Sequence, residues 1–200
     1  MKTIVRERPI LFSGPMVRAI LEGRKTQTRR VIRPQPHPTH QRLLEEHPGD
    51  PQLGIPCPYG AAGDRLWVRE TWASIRGLDE KKPSEIASYG DSADLGFFYR
   101  SDGDEQVVGR GRWRPSIHMP RWASRITLGI LGVRVERVKD IGEEEAVSEG
   151  CVVMPASAIN PQPTARGSFI MLWNSINYAR GFGWLSNPWV WVIEFRRVAA

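Results

Sequence analysis

Apolar and polar positions along this chain follow two rhythms. Some stretches alternate between the two, as a half-buried strand requires. Others repeat every three to four residues, as one face of a helix does. "PILF" at 9–12 is a short run of strand type. "SGPMVRAILEG" at 13–23 carries helix signals: Ser13 as cap, Pro15 in the first turn, Met16, Ile20 and Leu21 on one face, and Gly23 as the stop. "KTQTRRVIR" at 25–33 alternates again and predicts a strand. So does "GDRLWVRETW" at 63–72, with Leu66 and Val68 on one face and Trp67 and Arg69 on the other. "FFYR" at 97–100 and "SIHM" at 116–119 are short strand candidates. "SRITLGILGVRVERVKDI" at 124–141 predicts one bent strand or a pair, with Gly129 or Gly132 at a bulge. "GEEEAVSEG" at 142–150 predicts an acidic helix ending at Gly150. "SFIMLWNSINYARG" at 168–181 predicts an amphipathic helix capped by Ser168, with Phe169, Leu172, Trp173 and Ile176 inward. "NPWVWVIEFRRV" at 187–198 closes the chain as a strand.

The intervening stretches are of another kind. Residues 34–63 are rich in proline, histidine and glycine and predict a long loop, with one helical turn at "HQRLLEEH", 40–47. Residues 73–96 form a polar excursion, and 151–167 a further loop. No internal repeat is visible. Many strands with a few short helices predict an α+β chain: a small, partly closed, mixed β-barrel with helices at its mouth and insertions near 34–63, 73–96 and 151–167. A length of 200 residues suits one domain spanning 1–200.

Charge narrows the partners. A net charge of +6 favours anionic ligands, among which nucleic acid is the commonest. Eight tryptophans include several beside arginine or proline, as in "RWRP", "PRW" and "NPWVW". Most such residues fill a core, and one or two can stack on bases. Cys57 and Cys151 stand far apart and outside any C-x-x-C, so no disulfide framework is expected, and a reducing cytoplasm fits. The apolar run within "MKTIVRERPILF" is too short for a signal peptide, and no run approaches the ~20 residues of a membrane span. A soluble, cytoplasmic protein without a membrane partner is expected.

The candidate chemistry lies in "EGRKTQTRR", 22–30. Period two puts Thr26, Thr28 and Arg30 on one side, with Lys25 at the helix-to-strand junction. A lysine beside a hydroxyl can hold an anion as a point charge. Desolvated, it can lose its proton and activate the hydroxyl as a nucleophile. By spacing alone, a solvated basic strand edge accounts for the segment equally. In "VRETW", Arg69 and Glu70 face opposite sides of a strand, and a salt bridge is the plainer role for Glu70. Glu149 stands at a helix C-terminus, where the dipole disfavours a carboxylate. His118 in "SIHMPRW" is a polar candidate at a strand end. His37, His40, His47 and Cys57 match no zinc spacing, and phosphate-loop, dinucleotide and zincin motifs are missing, so neither metal nor cofactor is called for.

"LEGRKTQTRR" also contains G-x-K-x-x-T-x-R, as Gly23, Lys25, Thr28 and Arg30. With "CPYG", "GDRLWVRETW", "WRPSIHMPRWASRI", "EEEAVSEG" and "NPWVWVIEF" in order, the chain resembles ASCH-domain proteins of the PUA-like superfamily, most closely the longer ones of phages and prophages. The resemblance implies a small β-barrel similar to RNA-binding PUA domains, with a cleft between the barrel and the helix preceding the lysine motif. One small bacterial branch of that family hydrolyses the acyl amide of N4-acetylcytidine with a lysine, a threonine and a glutamate. By motif order these fall on Lys25, Thr28 and Glu149. Thr28 would attack the carbonyl, Lys25 would take its proton, and Glu149 would orient the lysine or the leaving amine. This chain is about twice the length of that branch. The same residues would equally hold RNA or a modified nucleotide: Lys25 and Arg30 on phosphate, Glu149 or Glu70 on a base edge, Trp72 or Trp122 stacking, with Thr26, Arg29, Arg69, His118, Arg121 around them. A ribonuclease needs only a positioned base and phosphate-binding cations, and is a further alternative.

Overall fold

The computed structural model describes residues 5–37, 56–87, 96–103, 107–155 and 163–198. The helical turn expected at 40–47 lies outside them, as does much of the three insertions. The main sheet has five strands: β1 (Glu7–Leu11), β2 (Gln27–Val31), β3 (Arg65–Arg69), β6 (Thr127–Arg137) and β7 (Trp189–Val198). Their spatial order is β1-β3-β6-β7-β2. β1 runs parallel to β3, and the other pairs are antiparallel. A small ribbon joins β4 (Trp72–Ala73) to β5 (Phe98–Tyr99). The helices are α1 (Gly14–Leu21), α2 (Pro83–Ile86), α3 (Glu143–Ser148) and α4 (Ala165–Asn177).

The chain is thus mixed α+β. Strand pairing among the described residues leaves β1 and β2 as two edges, so the sheet is open and does not close into a barrel. It curls all the same: the Arg30 guanidinium on β2 donates to the Leu11 carbonyl at the end of β1, 2.6 Å away.

β7 shows why the sheet holds. Its odd residues Trp189, Trp191, Ile193 and Phe195 enter one core with Ile10, Phe12, Val17 and Leu66. Its even residues Val190 and Val192 enter another, under α3 and α4, with Phe169 and Trp173. Each fully buried side chain of this size contributes ~1.5–3 kcal/mol of transfer free energy, so a strand covered on both faces is the natural centre of the fold. β6 follows the expected bent strand, and its register shifts between Ile130 and Gly132.

Several local expectations change. "GDRLWVRETW" breaks after Arg69, and Trp72 opens β4 instead. "SIHM" is a 3-10 turn over Ser116–His118, not a strand, since Pro115 and Pro120 flank it and Met119 is pulled into a core. The long helix starts at Ala165. Thr164, not Ser168, is its cap, its hydroxyl accepting from the Gly167 N–H at 2.9 Å. Ser13 takes the cap position of α1 but makes no side-chain cap bond. Ile176 is half exposed and not inward. The polar excursion has a third core of its own, in which Trp72, Leu78, Ile86, Met119 and Ala123 pack against Phe97, Tyr99 and Trp122.

Candidate functional site

The site begins where α1 stops. Gly23 takes φ +75°, a left-handed turn that a side chain would disfavour. The N–H groups of Arg24 and Lys25 both fold back on the Ala19 carbonyl, at 2.9 and 3.0 Å. Lys25 is thereby fixed beside the residue that ends α3. Lys25 and Glu149 form an isolated antiparallel bridge, and the Thr26 N–H donates to the Ser148 carbonyl at 2.9 Å.

Lys25 is 4 % exposed, and each of its three ammonium protons has an acceptor: the Gln27 carbonyl at 2.8 Å, the Glu149 carbonyl at 2.7 Å and Glu149 Oε2 at 2.8 Å. Burial pushes its pKa below the ordinary lysine value, and Glu149 opposes that shift. The other oxygen of Glu149, Oε1, accepts from Arg29 at 3.3 Å. Arg29 also meets Glu136 at 3.0 Å and Glu145 at 2.9 Å, its side chain fully covered. The Glu149 carboxylate is bracketed by two cations, which holds both the carboxylate and Lys25 in position.

β2 pairs only with β7 among the described residues, and residues 28–33, along it and just beyond, line a cleft. The Ile32 N–H donates to the Trp189 carbonyl, and the Phe195 N–H to the Thr26 carbonyl. Even-numbered residues therefore bond β7, and the main-chain groups of Arg29 and Val31 point to the cleft side. The cleft has a volume of about 880 Å³. Side chains from both faces of β2 line it, with Lys25, Thr28, Arg30 and Glu149 on its polar wall and Phe12, Tyr59 and Trp191 on its aromatic one. Thr28 is 4 % exposed, and its hydroxyl makes no hydrogen bond among the described residues. Arg30 lies over Phe12 at 5.1 Å and Tyr59 at 6.0 Å from the ring centroids. Among the described residues its side chain donates to one carbonyl, that of Leu11, and its Nε is buried without a partner; burial pushes its pKa down.

Of the remaining candidates, only Arg29 is among the cleft-lining residues. Thr26 is exposed, precedes β2 and is not among the residues lining the cleft. Arg29 lines the cleft but is committed to three carboxylates. Arg69 donates to the Met119 carbonyl at 2.9 Å and lies over Trp67. Glu70 is 1 % exposed and bridges Arg125 at 3.0 Å, also accepting from Ser101, so it reads no base edge. Trp72 is fully buried with Trp122 packed edge-on at 5.9 Å, which corrects the expectation that either stacks on a base in this cleft. His118 and Arg121 are exposed, Arg121 being paired with Glu7 at 3.0 Å. Sequence reasoning missed Phe12, Tyr59, Trp191, Arg33 and Arg180 as cleft residues. Arg33 carried a signal, because it ends the same basic strand.

No family model matches the chain, and no curated protein matches it. One solved structure is similar in outline, the crystal structure of protein EF3133 from Enterococcus faecalis V583, with the family-model DUF984. Identity is 8 %, the alignment covers 99 % of this chain and 83 % of that one, and the TM-score is 0.43. A likeness at that level assigns neither fold nor function. No helix among the described residues is long and apolar enough to cross a membrane.

Proposed function

We propose that this chain is an ASCH-like, PUA-like protein whose cleft binds RNA or a modified nucleotide. The observation that carries the reading is Arg30. It is a guanidinium set between two aromatic rings at the cleft wall, with no carboxylate partner among the described residues and a buried, unsatisfied Nε. A bidentate anion such as phosphate answers that arrangement. The aromatic wall suits a base, and the free edge of β2 offers main-chain donors and acceptors to a base edge. Titration of a short single-stranded RNA at two salt concentrations tests this. Affinity should fall with salt, and Arg30→Ala should weaken binding and flatten the salt slope. Binding indifferent to both would overturn the reading.

A second reading, amidohydrolase action on an N4-acylated cytidine, is favoured by Thr28, whose hydroxyl makes no hydrogen bond among the described residues, lining the same cleft as the Lys25–Glu149 pair. Lys25 must first be a neutral amine, a form that its burial favours. It takes the Thr28 proton as the Oγ–carbon bond forms, then returns it to the departing N4 amine as the carbon–nitrogen bond breaks. Water, deprotonated by the same amine, attacks the acyl carbon, and the carbon–Oγ bond breaks as Lys25 gives that proton to Thr28 Oγ, releasing the carboxylic acid and restoring the neutral amine. Glu149 orients Lys25. Incubation with N4-acetylcytidine should release cytidine, and folded protein without turnover would exclude this chemistry.

A further inference from the structure

We infer that Arg30, Arg33 and Arg180, three arginines of the cleft lining, take the phosphates of the ligand, so that the ligand is a phosphorylated nucleotide or strand and not a free nucleoside. The inference rests on the nucleotide reading above and specifies its substrate class. Charge along the cleft is distributed unevenly. Lys25 and Arg29 are neutralised by Glu149 and its neighbours, and Glu149 is the sole carboxylate among the described lining residues. The lining also carries Arg30, Arg33 and Arg180, none of them paired with a carboxylate among the described residues. The Arg33 guanidinium is held over the Phe182 ring, 4.7 Å from its centroid, and Arg180 ends the 3-10 turn that follows α4. An extended chain advances at most ~3.6 Å per residue. Arg30 and Arg33 therefore lie within roughly 7 and 18 Å of Thr28 along the strand, a span within reach of one nucleotide or short strand. The cavity is large for a lone base and falls in the range of roughly 300–1,000 Å³ that encloses larger ligands. Guanidinium forks hold phosphate through paired N–H donors, and three of them unopposed by acid would repel any cation and leave a neutral nucleoside unanchored.

Binding of three classes of probe tests this: the nucleosides, their 5′-monophosphates, and a short mixed-sequence single-stranded RNA. Each is measured against the wild type and against Arg33→Ala/Arg180→Ala, both of which replace exposed side chains. The expected order of affinity is RNA, then monophosphate, then nucleoside. The double variant should lose about tenfold or more for RNA and show a shallower salt slope, while nucleoside affinity stays unchanged. If phosphate adds nothing to nucleoside affinity, or the double variant binds RNA as the wild type does, the subsite is refuted while nucleotide binding stands. If no probe binds even at low salt, the nucleotide reading itself fails, and the subsite with it.

Discussion

Lys25 and Glu149 are joined by three bonds of different kinds. Their side chains meet at 2.8 Å, the Lys25 ammonium reaches the Glu149 carbonyl at 2.7 Å, and their main chains form a β-bridge. A surface ion pair would contribute little. This one is buried, and it ties the end of α3 to the start of β2, so the cleft and the fold share a joint.

Removing both members should therefore cost less than the two single losses added together. Lys25→Met leaves Glu149 short of one cation, and Glu149→Gln leaves Lys25 and Arg29 facing a neutral amide. Each single change should cost roughly 3–5 kcal/mol in urea denaturation, as breaking a buried pair does. The double variant should be less destabilised than the sum of the singles. Strict additivity would show that the pair is not energetically coupled.

Thr28 separates stability from chemistry. Its hydroxyl has no hydrogen bond to lose among the described residues, so Thr28→Val should shift stability by less than about 1 kcal/mol. If Thr28 is the nucleophile, that variant loses release of cytidine from N4-acetylcytidine and Thr28→Ser keeps part of it. Turnover that survives in Thr28→Val would assign the reaction to another group.

Glu145 predicts an acid-side dependence. Burial raises its pKa, but the Gly142 N–H and the Arg29 and Arg134 guanidinia outweigh that and hold it below the usual 4.5. A depressed carboxylate stabilises the fold fully above its unfolded pKa, and the contribution is lost as pH falls through the lower, folded value. The stability gap between the wild type and Glu145→Gln should thus be constant near neutrality and shrink below about pH 4.5. Thermal melts across pH 3 to 7 would show it, and a gap that widened on acidification would reverse the sign.

Much of the main sheet was legible from its short apolar and β-branched runs: in "WVWVIEF" the odd residues enter one core, and the even residues Val190 and Val192 enter another. The third core was not, because Leu78, Ile86, Met119 and Trp122 come from separate turns with no shared period. Trp72 and Glu70 looked available for ligand for the same reason. Their neighbours Ser101, Arg125 and Phe97 are distant in sequence, and only the folded chain covers them. The Lys25–Glu149 pair was reached through motif order, since nothing in the spacing of 25 and 149 announces a bridge. Arg29 illustrates the limit of a basic run. Arg29 and Arg30 are neighbours in sequence, yet alternation gives one to three carboxylates and the other to the open cleft.

Trp72 tests the corrected assignment directly. Trp72→Ala should destabilise by roughly 3–5 kcal/mol as a core truncation, and leave the RNA affinity of the folded fraction unchanged. A selective loss of affinity would return Trp72 to the binding surface.

Gly150 is the position where backbone geometry and site geometry coincide. Its φ is +85°, and a Cβ added there would stand 3.0 Å from Ala19 Cβ and 3.1 Å from Lys25 Cβ. The left-handed conformation lets the chain turn out of α3 just after Glu149, and the bare Cα lets Lys25 pack directly against the turn. Gly150→Ala meets both constraints together. The strained backbone alone costs about 1–3 kcal/mol, and the contact is with a stem atom of Lys25, not the free end of a flexible side chain. The change should therefore displace Lys25 from Glu149 as well as lower stability. Gly23→Ala, in a turn of similar φ but with open space at its Cβ, is the matched control. Both variants should lose stability in urea denaturation, but Gly150→Ala alone should weaken ligand binding or turnover in protein that remains folded. Equal functional losses in the two would mean that Gly150 acts only through the turn, and not through its contact with Lys25.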